Sequence, residues 1–203
     1  MTYLSEAQYA DYAAFHRLPC AINDWLIVCG DLSLDEDEAI DQLVEWSHLG
    51  VTDIIDVRIE ACDEDFVKVR CPEFRYHYLP TDDDGERQSD EWFDAAIEVA
   101  DNVRKRGGKV LIHCHMGINR APSLAYRLLL EEGEHVIGAL DLIREKRPIA
   151  GIAYADDAVN HYLRSQDGSA EDIEFIVNVV RNWVRDKTED TYRAIRAIAN
   201  QRL

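Results

Sequence analysis

The sequence predicts a single α/β domain in which a central, mostly parallel sheet is flanked by helices, with extra helices at the C-terminal end. Short runs of β-branched and aromatic residues alternate with amphipathic segments as far as Leu130, and the pattern is purely helical from Glu134 onward. Such alternation is typical of a sheet that carries helices on its faces. The chain has 203 residues, 47% of them hydrophobic, which is enough for one substantial core.

Four segments have the length and composition of buried strands. They are residues 25–28, 51–57, 74–79 and 109–112. The second and fourth are rich in β-branched residues, and the third places aromatic residues at alternate positions. Because a ligand of a parallel sheet binds above the carboxyl ends of the strands, functional side chains are expected after these segments.

Helices are predicted between and beyond the strands. The segment 39–49 is followed by Gly50 and the segment 90–106 by Gly107, the residue that commonly ends a helix. The face of the first helix that should be buried contains Ile40, Leu43, Val44 and Trp46. Further helices are expected at 5–16, 134–146, 154–165, 170–186 and 189–201.

The helix predicted at 170–186 carries a stripe of apolar residues. The stripe consists of Ile173, Ile176, Val177, Val180, Trp183 and Val184. A stripe of this kind most often packs on the parent domain, and the alternative is a surface for a partner or for a second copy of the chain. The sequence leaves the oligomeric state open, with a monomer favoured.

The most informative segment is the run His113-Cys114-His115-Met116-Gly117-Ile118-Asn119-Arg120, which joins the fourth strand to a helical pattern. Such a loop directs unpaired backbone N–H groups and the positive end of the helix dipole into one concavity, which favours a dianion. Arg120 adds a planar guanidinium that matches two phosphate oxygens. The same surroundings favour a thiolate, because a cysteine pKa of about 8.5 falls to about 3.5–7.5 at such positions. The loop therefore predicts a phosphate site that contains a nucleophile.

With these residues the loop resembles the HCxxGxxR loop of the cysteine-based protein phosphatases, and within them the compact dual-specificity phosphatases. The resemblance extends over residues 25–163. It implies a dual-specificity-phosphatase-like fold that needs no cofactor and no metal. We assign residues 1–165 to the catalytic domain, and we expect residues 166–203, which lie beyond the resemblance, to form a helical extension packed on it. The resemblance also implies that Cys114 attacks phosphorus and forms a cysteinyl-phosphate. The implied substrate-binding residues are His115, Met116, Gly117, Ile118, Asn119 and Arg120, and the implied supporting residues are His113, Ala121 and Ser123.

The resemblance further implies a general acid on a separate loop. In the family this acid follows an extended segment and precedes a helix that opens with a pair of aromatic residues. Counting back from Trp92 places Asp83 at that position, with Asp82 and Asp84 as neighbouring candidates. An acidic, solvated loop is the alternative explanation of these three residues.

Two positions depart from the usual family loop. Ala121 stands where the family carries Ser or Thr, whose hydroxyl is understood to help the thiolate leave, so hydrolysis of the intermediate is expected to be slow. Ser123 lies close by in the sequence. Asn119 stands where Ser is common among protein phosphatases, and the resulting HCxxGxNR loop is also similar to that of RNA 5′-triphosphatases.

The charge of the chain disfavours a nucleic-acid substrate. There are 22 basic and 40 acidic side chains, giving a formal net charge of −18. Nucleic-acid affinity comes largely from Lys and Arg, and no basic stripe with interleaved aromatic residues is visible. The loop also lacks a lysine, which disfavours a multiply phosphorylated inositide. A phosphorylated protein is the expected partner.

The sequence also bears on compartment and on metal binding. It shows no charged-then-apolar leader and no apolar run long enough to span a bilayer, which predicts a soluble protein with no membrane partner. The five cysteines lack CxxC spacing, and a reactive thiol requires a reducing compartment, so we expect the cytoplasm. Consecutive residues such as those at 113–115 point in different directions and cannot readily converge on one metal ion.

Two functional hypotheses remain from the sequence. The first is a metal-independent phosphomonoesterase that acts on phosphotyrosine through Cys114, Arg120 and Asp83, with phosphoserine and phosphothreonine as further candidate substrates. The second is a pseudophosphatase that binds phosphorylated partners, and Ala121 is the feature that favours it. Arg58 and Glu60 follow the second strand, where they either pair with each other or border the pocket.

Overall fold

The computed structural model describes residues 12–201, and it contains a five-stranded sheet. The strands are β1 (Cys20–Ala21), β2 (Leu26–Cys29), β3 (Asp53–Arg58), β4 (Arg75–Thr81) and β5 (Val110–His113), in the spatial order β1-β2-β5-β3-β4. β1 pairs antiparallel with β2, and every other pairing is parallel. The fold is therefore the predicted mostly parallel α/β sheet, with β5 at its centre.

Seven helices of six residues or more lie between and after the strands within the described range. They are α1 (Glu36–His48), α2 (Glu64–Arg70), α3 (Asp90–Lys105), α4 (Arg120–Glu131), α5 (Val136–Lys146), α6 (Ala155–Ser165) and α7 (Ala170–Gln201). Side-chain caps fix two of the helix starts, because Asp35 accepts hydrogen bonds from the backbone N–H groups of Asp37 and Glu38, and Ser89 accepts one from Trp92.

The sheet separates two hydrophobic clusters, and each face of a central strand contributes to one of them. On one side Val110 and Ile112 of β5 pack with α3, α4, α5 and α6, and on the other side Leu111 packs with α1. This alternation follows from the two-residue repeat of a strand. Because both faces of these strands are buried, their sequences are short runs of apolar residues.

The structure differs from the sequence-based elements in several places. The helices predicted at 170–186 and 189–201 form one continuous helix, α7, because the polar residues between them are not accompanied by any Gly or Pro. The sequence analysis missed the two-residue strand β1 and the short helix α2. Val44, expected to be buried on α1, is 43% exposed, while Ala39 takes its place in the core. The helix predicted at 5–16 lies mostly outside the described residues.

The C-terminal helix α7 contributes to the main hydrophobic cluster. Val177 and Val180 are buried there, and the other members of the apolar stripe are partly buried against the same cluster. The boundary predicted at residue 165 remains a prediction. Within residues 12–201, none of the helices combines the length and the apolar character needed to cross a bilayer.

Candidate active site

The segment of residues 114–119, here called the Cys114 loop, connects β5 to α4 at the carboxyl edge of the sheet. Because β5 has parallel neighbours on both sides, the loop starts from the middle of that edge. Gly117 has φ of +64°, a left-handed conformation that other residues rarely adopt. A Cβ atom there would lie 2.6 Å from the carbonyl oxygen of Cys29 and would collide with Arg147. The loop therefore requires glycine at this position.

A cavity of about 360 Å³, here called the catalytic cavity, opens beside the Cys114 loop. It brings Cys114 and Arg120 together with Asp83, which comes from the segment after β4. The other lining residues are His115, Met116, Ile118, Asn119 and Ile195. All of these except Ile195 were predicted to bind substrate. The remaining predicted residue, Gly117, directs its backbone N–H to the sulfur of Cys114.

Cys114 is 2% exposed. Burial raises the pKa of its thiol, and the positive charge of Arg120 and the backbone N–H groups of Ala121 and Gly117 oppose that rise. Burial is the largest of these effects, so the pKa of the Cys114 thiol is raised, whereas the sequence analysis expected it to be lowered. One physical reason is that carboxylates lie beside Arg120 and reduce its effect on the sulfur.

Arg120 is buried, and one end of its guanidinium is held by Glu60. Nη1 donates to Glu60 Oε2 at 2.7 Å and to the carbonyl oxygen of Thr81 at 3.0 Å, and Nη2 donates to Glu60 Oε1 at 2.6 Å. The Nε atom is buried and has no hydrogen-bond partner among the described residues. A bidentate pair thus fixes the side chain, while its Nε edge retains donors for an anion.

Glu60 lies in the segment between β3 and α2. Hydrogen bonds from Arg120 lower the pKa of Glu60 from 4.5 to about 2, so it is ionised at neutral pH. Arg58 does not pair with Glu60. Its buried guanidinium donates to Asp56 at 2.9 Å and to Asp63 at 2.5 Å, which anchors both ends of this segment.

Asp83 is the one of the three adjacent acids that lines the catalytic cavity. Its Oδ1 accepts a hydrogen bond from the hydroxyl of Tyr154 at 2.8 Å, and its Oδ2 lies 3.7 Å from Arg120 Nε. Asp84 instead accepts a hydrogen bond from the backbone N–H of Glu86, and Asp82 is exposed. This placement agrees with the choice of Asp83, although its role as general acid remains a prediction.

Arg147 holds the Cys114 loop from beneath. It is fully buried, and it donates to the carbonyl oxygens of Gly117 at 2.6 Å and of Met116 at 3.1 Å. Its other bonds reach the carbonyl oxygens of His16 and Leu18 in the N-terminal segment. By binding two loop carbonyls on the side away from the cavity, Arg147 favours the orientation in which loop N–H groups face the cavity.

The two histidines of the loop have different surroundings. His115 Nδ1 lies 2.9 Å from the carboxylate of Asp31, and the side chain is 40% exposed at the rim of the cavity. His113 is fully buried, and neither of its ring nitrogens has a hydrogen-bond partner among the described residues. Among the described residues, His113 therefore makes no side-chain hydrogen bond that would support the loop. The Nε2 atom of His113 lies 3.8 Å from Oδ1 of Asp56.

The structure shows the surroundings of Ala121 and Asn119, the two residues that depart from the family pattern, and of the nearby Ser123. Ala121 is fully buried at the start of α4. The oxygen of Ser123 accepts a hydrogen bond from the backbone N–H of Tyr154 at 3.1 Å, which ties this serine to the residue that binds Asp83. Asn119 lies at the cap position of α4, but its side chain makes no capping hydrogen bond.

One group of acidic and imidazole side chains near the site has the spacing of metal ligands. Oxygen or nitrogen atoms of Asp56, Asp63 and His113 lie within 4.8 Å of one another. Arg58 donates to both carboxylates and already supplies the balancing positive charge. We therefore interpret this group as an ion-pair network that supports the site.

Residues 34–154 match the family model for the dual specificity phosphatase catalytic domain. The chain belongs to this family. It therefore carries a phosphatase catalytic domain of the protein tyrosine and dual-specificity type, as the resemblance implied. The match includes Glu60, Asp83, the Cys114 loop, Arg147 and Tyr154, and it ends before α6 and α7.

Relatives of this dual-specificity phosphatase domain support the same assignment. It is 28% identical over 107 residues to dual specificity protein phosphatase 1-A of Xenopus laevis, which covers 50% of this chain and 26% of that protein. It is 34% identical over 73 residues to human dual specificity protein phosphatase 5, covering 36% of this chain and 19% of that protein. The chain thus spans about a quarter or less of these two relatives.

The fold of this phosphatase domain is also similar to solved structures. Human DUSP28 superimposes with a TM-score of 0.60 at 15% identity, over 73% of this chain and 95% of that one. At that level of identity the likeness concerns the fold alone.

Four residues of the phosphatase site were not assigned a role by sequence reasoning: Glu60, Arg147, Tyr154 and Ile195. Glu60 was noted, but the sequence did not indicate that Arg120 is its partner. Tyr154 and Arg147 have no local signature, because each contacts residues at least 30 positions away. The aromatic and basic character of these two residues was visible, but only the tertiary structure shows what they contact.

Proposed function

We propose that this protein is a metal-independent phosphomonoesterase that hydrolyses phosphotyrosine in proteins, with phosphoserine and phosphothreonine as further substrates. The observation that carries the proposal is that the Cys114 sulfur, the unpartnered Nε of Arg120 and the Asp83 carboxyl group converge on one cavity. A nucleophile, an anion-binding donor and an acid are the three groups that this chemistry requires.

In the proposed reaction, Arg120 and the loop N–H groups bind the phosphoryl oxygens and place phosphorus against Cys114. The thiolate attacks phosphorus as the bond to the tyrosyl oxygen breaks, and Asp83 donates a proton to that oxygen. Asp83, now a carboxylate, then removes a proton from the water that attacks the cysteinyl-phosphate. Inorganic phosphate leaves, and the sulfur recovers its electron pair.

The lining of the cavity supports an aromatic phosphoester. Met116 and Ile118 from the Cys114 loop and Ile195 from α7 supply apolar groups to its lining. The formal net charge of −18 opposes a polyanionic substrate such as RNA. Because a catalytic thiol requires a reducing compartment, we also propose the cytoplasm as the location.

The direct test follows p-nitrophenyl phosphate from the first turnover into the steady state, with EDTA present. We expect one equivalent of p-nitrophenol per enzyme in a rapid phase, followed by slower turnover. Cys114→Ser should abolish both phases and should still bind a phosphotyrosine peptide. Unchanged turnover in Cys114→Ser, or complete inhibition by EDTA, would contradict the proposal.

A second candidate function is binding of phosphorylated partners without turnover. Two observations favour it: Ala121 lacks the hydroxyl that the family carries, and burial raises the pKa of the Cys114 thiol. Ala121→Ser separates the candidates. In an enzyme this change should speed the slow phase and leave the rapid phase in place, with Ala121→Gly as the control without a hydroxyl. Absence of turnover in the wild type and in Ala121→Ser would favour the binding function.

A further inference from the structure

A second cavity, of about 230 Å³, adjoins the catalytic cavity. The two cavities share Asn119 and Ile195 as lining residues. The far wall of the second cavity belongs mainly to α7, which supplies Val184, Thr188, Thr191 and Tyr192. Since α7 lies beyond the residues matched by the family model, this wall is an addition to the family domain.

Two contacts fix α7 relative to the Cys114 loop. Ile118 of the loop is buried in a cluster with Ala194 and Ile198 of α7. Gly151 permits a close approach of the helix, because a Cβ atom there would lie 2.6 Å from Cγ2 of Thr191 and 2.8 Å from Oδ1 of Asn119. These contacts place the second cavity beside the Cys114 loop.

The chemistry of the second cavity indicates what it binds. Its lining contains no charged side chain, and most of its surface comes from aliphatic, hydroxyl and aromatic groups. At the junction with the catalytic cavity, Oδ1 of Asn119 is buried and has no hydrogen-bond partner among residues 12–201. A buried acceptor without a partner is costly, and rotation of the Asn119 side chain toward the junction would let it accept a hydrogen bond from a backbone N–H of a bound polypeptide.

We propose that the second cavity is a subsite for an uncharged, apolar side chain that directly neighbours the phosphorylated residue of a polypeptide substrate. The phosphorylated side chain enters the catalytic cavity, the substrate backbone passes Asn119, and the neighbouring side chain contacts α7. This inference rests on the proposed function, and it makes α7 a determinant of substrate specificity.

The first test compares phosphotyrosine peptides that differ only beside the phosphotyrosine. Leu and Gly are placed in turn on its N-terminal and C-terminal sides, and kcat/KM is measured for each peptide. On one of the two sides, we expect Leu to exceed Gly by about tenfold, the discrimination typical of a small apolar pocket. Equal kcat/KM values for Leu and Gly on both sides would overturn the proposal.

The second test fills the cavity from its α7 wall. Thr188→Phe places an aromatic ring in the lining of the second cavity. The ratio of kcat/KM for the Leu peptide to kcat/KM for the Gly peptide should then fall from about ten to about one. Asn182→Phe is the matched control, because Asn182 is an exposed, uncharged residue of α7 outside the lining. A ratio that Thr188→Phe leaves unchanged, or that both variants reduce alike, would contradict the proposal.

Failure of this inference is distinguishable from failure of the proposed function. Turnover of p-nitrophenyl phosphate, which has no neighbouring residue, reports on the catalytic cavity alone. If the protein turns over no substrate, the same peptides are titrated against Cys114→Ser, with fluorescence polarisation as the readout. The expected result is then a tenfold difference in Kd, and equal Kd values would exclude the subsite.

Discussion

The two ends of the Arg120 guanidinium have different partners. Glu60 binds the Nη1 and Nη2 atoms, and Nε lies beside Asp83 without a hydrogen bond. A rigid, planar group can be held on one edge and still present donors on the other, which lysine cannot do. The arginine is thus pre-positioned for an anion, at the cost of a weaker positive potential at Cys114.

The assignment of the general acid can be tested within its own loop. Asp83→Asn should lower kcat/KM for phenyl phosphate about 100-fold, because phenolate is a poor leaving group without a proton donor. Asp84→Asn removes the same charge one position along the chain, where the side chain binds the backbone of Glu86, and should change kcat/KM less than twofold. Steady-state kinetics at pH 6 provide the measurement. Equal losses in both variants would indicate a general charge effect in place of acid catalysis.

Glu60 should make stability depend on pH. Arg120 lowers the pKa of Glu60 from 4.5 to about 2, so its charge stabilises the folded protein above the unfolded pKa, and this contribution disappears as pH falls from 4.5 toward 2. Because the Glu60 side chain is 42% exposed, the contribution at pH 7 should be about 1 kcal/mol or less. Urea unfolding of wild type and Glu60→Gln should show a difference in the free energy of unfolding at pH 7, and this difference should be smaller at pH 3. A difference that grows at low pH would contradict the ion pair.

At the scale of elements, the active site depends on segments that surround the Cys114 loop. The segment after β3 supplies Glu60, the segment after β4 supplies Asp83, and the segment between α5 and α6 supplies Arg147 and Tyr154. Parallel strands end at one edge of the sheet, so these segments meet although they are far apart in the sequence. Arg147 connects two of the surrounding segments, because it donates hydrogen bonds both to the N-terminal segment and to the Cys114 loop.

Replacing Arg147 tests this link. Arg147→Lys retains the charge but cannot reach all of the carbonyl oxygens, and we expect a loss of about 3 kcal/mol in the free energy of unfolding. Affinity for inorganic phosphate should fall as well, because the loop N–H groups lose their fixed direction. Lys146→Met is the control, since Lys146 is exposed and its ammonium group pairs with the adjacent Glu145. Urea unfolding and phosphate inhibition give the two measurements, and an unaltered phosphate affinity would show that Arg147 does not orient the loop.

At the scale of the whole molecule, α7 belongs to the same hydrophobic core as the sheet. Val177 and Val180 enter the main cluster near the start of the helix, and Ala194 and Ile198 join a smaller cluster with Ile118 near its end. A helix that is packed at both ends should unfold together with the domain.

The contribution of α7 to the core can be measured at two adjacent residues. Val180 is fully buried, and Val180→Ala should lower the free energy of unfolding by about 2 kcal/mol. Val179 is 37% exposed, and Val179→Ala should cost less than about 0.5 kcal/mol. We expect one cooperative transition by far-UV circular dichroism and by tryptophan fluorescence in both variants. A separate early transition in Val180→Ala would mean that α7 unfolds independently.

Much of this architecture could be predicted from the sequence because its determinants are local. Strand and helix periodicity gave the α/β class, and the HCxxGxxR spacing gave Cys114 and Arg120. The count back from Trp92 selected Asp83, which lies in the catalytic cavity. The continuous helix α7 was missed because a polar turn of a helix resembles a break when only one face is considered.

The sequence by itself determined the fold class, the family resemblance and the choice of Cys114 and Arg120 as the proposed nucleophile and phosphate-binding arginine. Those features depend on residues that are close together in the chain, so their spacing carries the information. Only the tertiary structure decided that Glu60 binds Arg120, that Tyr154 binds Asp83, that Arg147 supports the loop and that Ile195 lines the cavity. These contacts join distant segments, and their geometry depends on how the sheet and helices pack in three dimensions.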